Sequence, residues 1–228
     1  ILTAKHAVRL WTKLRGSSLS FVDLANANLT NTDLTNAWLH GVRSGDISGT
    51  PSHLPAYWKL IGGHLIGPGA DLTQANLNGL DLSSATLSGV HSGGISGTPS
   101  HLPADWKLID GYLIGPDADL NNSDLHGLNL QDANLTNASL EGVRSGNISG
   151  TPSHLPADWK LIGGYLIGPY ADLSQANLNG LDLSGANLDG VRSGSISGTP
   201  SHLPADWKLI GGYLIGPRAD LSKANLDG

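Results

Sequence analysis

Residues 59–98 read KLIGG HLIGP GADLT QANLN GLDLS SATLS GVHSG GISGT, eight consecutive fives. The next eight residues, PSHLPADW at 99–106, break the count, and KLIDG at 107–111 restarts it. The phrase GTPSHLP starts at Gly49, Gly97, Gly150 and Gly198. The first and last intervals between these starts are equal, and the middle one is longer by five. The register survives on both sides of that addition. A chain that accepts an insertion of five without losing its pattern is built from units of five. So short a repeat describes a solenoid, which grows along one axis and has no single closed core.

Two positions in each regular unit are apolar. One is a central Leu: Leu72, Leu77, Leu82 and Leu87; Leu120, Leu125, Leu130, Leu135 and Leu140; Leu173, Leu178, Leu183 and Leu188. The other lies two places earlier and is usually small, as at Ala70, Ala75 and Ala85, with Leu80 an exception. Between them usually stands Asp or Asn, as at Asp71, Asn76 and Asp172. Residues two apart in an extended segment face the same way. The Leu and its small neighbour thus point together, and the Asp or Asn points away. A period of five fits neither a helix nor a plain strand. It fits a short extended side followed by a corner, and Asn, Asp, Ser, Thr and Gly suit tight or left-handed corners. Four sides closing into a square coil would bury every Leu in a narrow tube. In GVRSG, DISGT, KLIGG and HLIGP the pattern inverts. Val42, Ile47, Leu60 and Leu65 take the small position, and Ser44, Gly49, Gly62 and Gly67 take the Leu position. The expectation is that these bulky residues still face inward.

The A(D/N)LXX pattern resembles the pentapeptide-repeat family, over roughly residues 17–228 apart from the four octads. The resemblance implies an all-β solenoid: a right-handed quadrilateral β-helix with about nine coils. It also implies a bacterial chain, and it slightly favours an exported one.

The octads at 51–58, 99–106, 152–159 and 200–207 each contain two prolines, which cannot donate to a strand ladder. They read as four external loops. Their candidate interaction residues are His53 and Trp58, His101 and Trp106, His154 and Trp159, and His202 and Trp207. The competing reading is that each Trp covers its own coil. An insertion of one side in a four-sided coil turns later loops by a quarter turn, which favours two offset pairs of loops. Each octad holds Ser and His, and three hold Asp, the ingredients of a hydrolase triad. Ser52 and His53 are adjacent, however, and Tyr57 replaces the Asp in the first copy, so no catalytic residues are assigned. A single His per copy has no second ligand three or four residues on, so no metal site is assigned. No cofactor motif is present either.

Residues 1–15 read as an amphipathic capping α-helix, with Ala4, Ala7, Val8, Trp11 and Leu14 at helical spacing and Thr3 as its cap. This leaves residues 16–228 as the β-helix. That first segment carries four bases and no acid, whereas the remainder holds nine bases against 19 acids. An acidic body argues against direct nucleic-acid binding. The chain holds no cysteine, so no disulfide or thiolate chemistry is open to it. No apolar run is long enough to span a membrane. The chain starts at Ile1 and stops inside a repeat, and reads as a piece of a longer protein.

The functional expectation is a noncatalytic structural or protein-interaction scaffold, self-associating end to end as a homo-oligomer. A second reading follows from the resemblance, since some pentapeptide-repeat proteins mimic duplex DNA and bind DNA gyrase. Recurring positive charge at Lys59, Lys107, Lys160 and Lys208, and at Arg43, Arg144 and Arg192, opposes it. A third reading is a glycan-binding surface protein that uses the octad tryptophans.

Overall fold

The computed structural model describes residues 14–222 and residue 224. The predicted capping helix falls outside them, apart from its last two residues. Leu14 is already part of a coil: its N–H donates to Asp33 O at 3.0 Å and its side chain packs on the first core. The chain forms two compact units, Ile1–Asp119 and Leu120–Gly228.

In the first unit, parallel bridges join Ser18 to Trp38, Asp23 to Arg43, Asn28 to Ser48 and Asp33 to His53. The partners in every pair are four fives apart, so a coil has four sides. The next rung, Arg43 to Asp71, is longer by the eight of an octad. Short steps then return at Asp71 to His91, Asn76 to Ser96 and Asp81 to His101, before another long step from His91 to Asp119. The second unit repeats this alternation. Asp124 pairs with Arg144 and Asp172 with Arg192 across short coils, and Arg144 pairs with Asp172 and Arg192 with Asp220 across long ones. The super-repeat is therefore one short coil and one long coil.

The outward Asp or Asn shapes each corner. Asp23, Asn28 and Asp33 accept from the backbone N–H two residues on, at 2.9, 3.0 and 2.9 Å. This is the Asx turn these short side chains favour. A corner residue that follows takes a left-handed conformation: Asn26, Asn31 and Asn36 lie at φ 61°, 58° and 57°. Asn tolerates that region better than most residues. Inside, all thirteen of the leucines named above are buried, from 0% to 2% exposed. Each contributes about 1.5–3 kcal/mol relative to an exposed side chain.

The long coils depart from the sequence reading. KLIGG and HLIGP are not two further sides of the square; together they form an antiparallel hairpin. In the first unit β1 (Lys59–Ile61) pairs with β2 (His64–Ile66), and β3 (Lys107–Ile109) with β4 (Tyr112–Ile114). In the second unit β5 (Lys160–Ile162) pairs with β6 (Tyr165–Ile167), and β7 (Lys208–Ile210) with β8 (Tyr213–Ile215). Each turn has two central residues, and both have positive φ, as at Gly62 (56°) and Gly63 (82°) or Asp110 (47°) and Gly111 (80°). That is the requirement of a type I′ hairpin turn, whose twist matches its strands. The turn docks on a coil corner, with the Ile47 N–H donating to Gly63 O at 3.1 Å and Ile148 N–H to Gly164 O at 3.0 Å.

The inverted units are anchored by a serine. Ser44 sits where a Leu is expected, and its Oγ accepts the Leu65 N–H at 2.8 Å. Ser92, Ser145 and Ser193 do the same for Leu113, Leu166 and Leu214 at 3.0, 2.9 and 2.9 Å. A leucine there would leave each hairpin N–H without an acceptor. Val42, Ile47 and Leu65 are buried as expected, whereas Leu60, on the outer strand, is half-buried.

Candidate interaction surface

The octads are partly coil and partly cover. Asp33 is bridged to His53, Asp81 to His101, Asn134 to His154 and Asp182 to His202, so each octad histidine occupies the outward middle position of a coil side. The expectation of wholly external loops is corrected accordingly. The two prolines are accommodated because the ladder uses polar groups of the residues between them: the Ser52 N–H donates to Thr32 O at 2.9 Å, and His53 O accepts from the Leu34 N–H at 3.0 Å. The tryptophans face their own scaffold. Trp58, Trp106 and Trp159 are half-buried against the leucine cores, and Trp207 is buried. Each indole lies against the glycine that ends its hairpin: Gly67, Gly115, Gly168 or Gly216. A Cβ on any of the four would collide with the ring. The first of the recurring lysines also turns toward the scaffold. Lys59 Nζ donates to Ser84 O at 2.8 Å and to Ser84 Oγ at 2.7 Å.

The histidines remain accessible. His53, His101 and His202 each have side chains 69% exposed, with Nδ1 at 4.0, 4.0 and 3.8 Å from Asp33, Asp81 and Asp182. His154 stands over Asn134, and its Nδ1 lies 3.3 Å from Ser153 Oγ. In each contact one ring nitrogen meets either a carboxylate or a serine, not one on each side as a relay requires. Asp33 and Asp81 are held below the ordinary carboxylate range, first by the hydroxyls of Thr35 and Ser83. Asp182 is lowered first by the Ser184 amide, and Asp220 first by the Ser222 hydroxyl. These shifts belong to Asx turns. Among the described residues no group of three or more His, Asp or Glu could hold a metal ion.

A second outward column did not emerge from the sequence. In the first unit the rungs Asp23, Arg43, Asp71, His91 and Asp119 follow one another up one side. In the second unit they run Asp124, Arg144, Asp172, Arg192 and Asp220. Acid alternates with base at every step. Arg192 lies 3.9 Å from Asp172 and 3.3 Å from Asp220, His91 lies 3.8 Å from Asp119, and Arg43 donates to Gln74 at 3.2 Å. The signal was present, since an Asp at the middle of one unit faces Arg or His at the middle of the unit one coil on. It becomes visible only once the lengths of the short and long coils are known.

A scan against protein-family models finds Pentapeptide repeats in eight copies, over residues 11–43, 68–91, 116–144 and 169–192. The gaps between the matched segments contain the octads and hairpins. No curated protein and no solved structure matches the chain. Among the described residues no helix is long and apolar enough to cross a membrane. With its units of five, its four-sided coils and its Asx corners, the chain is a pentapeptide-repeat protein.

Proposed function

We propose that this chain is a noncatalytic interaction scaffold. The observation that carries the reading is the division of labour across each coil. Leucine fills the inside, and most outward middle positions carry a polar or charged side chain on a residue held by the ladder. Such a surface presents residues at fixed spacing, and the leucine filling leaves a substrate little room inside. The finer architecture belonging to this proposal is a right-handed quadrilateral section with about nine coils in all. The octads at 51–58, 99–106, 152–159 and 200–207 contribute His53, His101, His154 and His202 as accessible contacts, with Trp58, Trp106, Trp159 and Trp207 fixing their backbone. The reading assigns the chain no enzymatic activity and no cofactor.

End-to-end self-association is the most specific form of the proposal. A stacked parallel coil leaves a row of N–H and C=O groups on its outer edge, and the coil of a second copy would satisfy it. Light scattering across a concentration series tests this. Mass that grows with concentration supports self-association. A constant monomer mass would overturn it and leave a hetero-partner, sought by pull-down with the four histidines changed to Ala. The gyrase-binding reading is disfavoured by the alternating column, because Arg43, Arg144 and Arg192 interrupt the continuous negative potential a duplex mimic needs. Inhibition or protection in a gyrase supercoiling assay would reinstate it.

A further inference from the structure

Three large aromatic residues of the first unit interrupt the repeat and are mostly exposed. Phe21, Trp38 and Tyr57 are 76%, 71% and 74% exposed. Phe21 and Tyr57 are also left-handed, at φ 60° and 68°. The repeat puts Asn at the corners that follow Phe21, and Asp105, Asp158 and Asp206 at the positions equivalent to Tyr57, with φ 66°, 66° and 65°. A bulky side chain in this region is strained, whereas Asn and Asp tolerate it. Trp38 stands at an outward middle position, where Asp23, Asn28 and Asp33 form Asx turns.

The three lie on the same side of successive coils. Trp38 is bridged to Ser18. Phe21, three residues past Ser18, donates its N–H to His40 O at 2.9 Å, and its ring meets the His40 ring edge-on with centroids 5.4 Å apart. Asp33 is bridged to His53, so Trp38, five residues past Asp33, and Tyr57, four past His53, leave the same corner in consecutive coils. The surroundings are polar, and the charges that border them are opposed. Residues 16–22 and 34–42 supply Ser18, Ser20, Thr35 and Asn36. At their ends Arg15 lies 3.8 Å from Asp33 and Asp23 stands one rung from Arg43, while Lys59 is turned onto Ser84.

We propose that Phe21, Trp38 and Tyr57 form a carbohydrate-binding platform for a neutral polysaccharide. The C–H face of a pyranose is apolar and slightly positive, and packs on the negative face of an aromatic ring. Its hydroxyls exchange hydrogen bonds with Ser, Thr and Asn side chains. A charged ligand finds no uncompensated countercharge beside these segments. An apolar peptide would strip water from those hydroxyls and amides without replacing their bonds. The platform is separate from the octad histidines and does not depend on the protein-binding reading above.

The test is a triple variant, Phe21→Asn, Trp38→Asn and Tyr57→Asp, in which each position takes a residue the repeat itself uses. Full-length chain and variant are run in native gels containing hydroxyethyl cellulose, xyloglucan, galactomannan or glycogen, with polygalacturonate as the charged control, and their melting is compared. The expected result is retardation of the natural chain by at least one neutral polymer and not by polygalacturonate. The variant loses at least tenfold in affinity and melts no lower. Free migration in every neutral gel, or unchanged retardation of the variant, would overturn the proposal. So would a variant that melts well below the natural chain, which would make the aromatics packing groups. Uptake of bis-ANS at these residues, undisturbed by any of the polymers, would mark an apolar protein contact instead and equally overturn it.

Discussion

The first and second units share an interior and differ outside it. Leu82 and Leu183 are both fully buried, as are Leu65 and Leu166, Val42 and Val143, at the equivalent places. On the surface, Tyr57 of the first unit answers to Asp158 of the second, Gly69 to Tyr170, His64 to Tyr165 and His91 to Arg192. The interval between the second and third octads is longer by five, and the bridges that follow it nonetheless keep the four-sided step from Asp124 to Arg144. The inward positions touch many neighbours in a packed tube, where a change of one methylene is felt. The outward positions meet only the rung above and the rung below. Variation therefore collects outside, and that is where a function specific to this chain has to be read.

The largest expected effect tests the claim of a common interior. Leu82→Ala and Leu183→Ala should each cost about 2–5 kcal/mol, since both leave a cavity in a filled tube. Urea unfolding followed by tryptophan fluorescence measures this. If only one of the two is costly, the interiors are not equivalent.

The buried serines come next. Ser44→Ala and Ser193→Ala should each lose about 1–3 kcal/mol, because the Leu65 or Leu214 N–H is left buried without an acceptor. Hydrogen exchange should accelerate in the hairpin of the altered unit alone. Equal acceleration in all four hairpins would show that the anchors act globally.

The charged column separates the units more finely. Arg192 offers a guanidinium fork that reaches both Asp172 and Asp220, whereas the smaller His91 ring lies 3.8 Å from Asp119. Arg192→His should destabilise and His91→Arg should stabilise, each by about 0.2–1 kcal/mol for such partly exposed pairs. Thermal melts in concentrated salt should remove most of the difference. If it persists there, the effect is packing and not charge.

The smallest effect concerns acid. Asp33, Asp81, Asp182 and Asp220 have folded pKa values below the ordinary 3.8. Their contribution to stability is complete above that value and is lost as pH falls through the lower folded values. As pH falls from above that value to below it, Asp33→Asn should flatten the acid decline of the melting temperature. Asn28 and Asn134 already form the same turn without a carboxylate to protonate. An unchanged acid limb would mean that other carboxylates dominate it.

Much of this was legible in the chain. The Leu spacing and the intervening Asp or Asn specify side, corner and inward face, because Leu suits the filled interior while Asp and Asn suit the outward turns. The octad tryptophans fitted the covering reading in advance, since large apolar groups in a loop pack on the nearest scaffold. The hairpins were missed although Gly62-Gly63 and Asp110-Gly111 between apolar runs are strong hairpin signals. Each hairpin occupies the same length as two units of five, so the register ran through it undisturbed.

The sequence alone determined the unit of five, the filled tube and the Asx corners, because those depend on interactions within one unit and its immediate stack. The tertiary structure decided which pair of fives folds back as a hairpin, which serine anchors it, and which Asp stands over which Arg. Those choices rest on contacts between segments a whole coil apart, and the coil length that brings the partners together is set only when the coil closes.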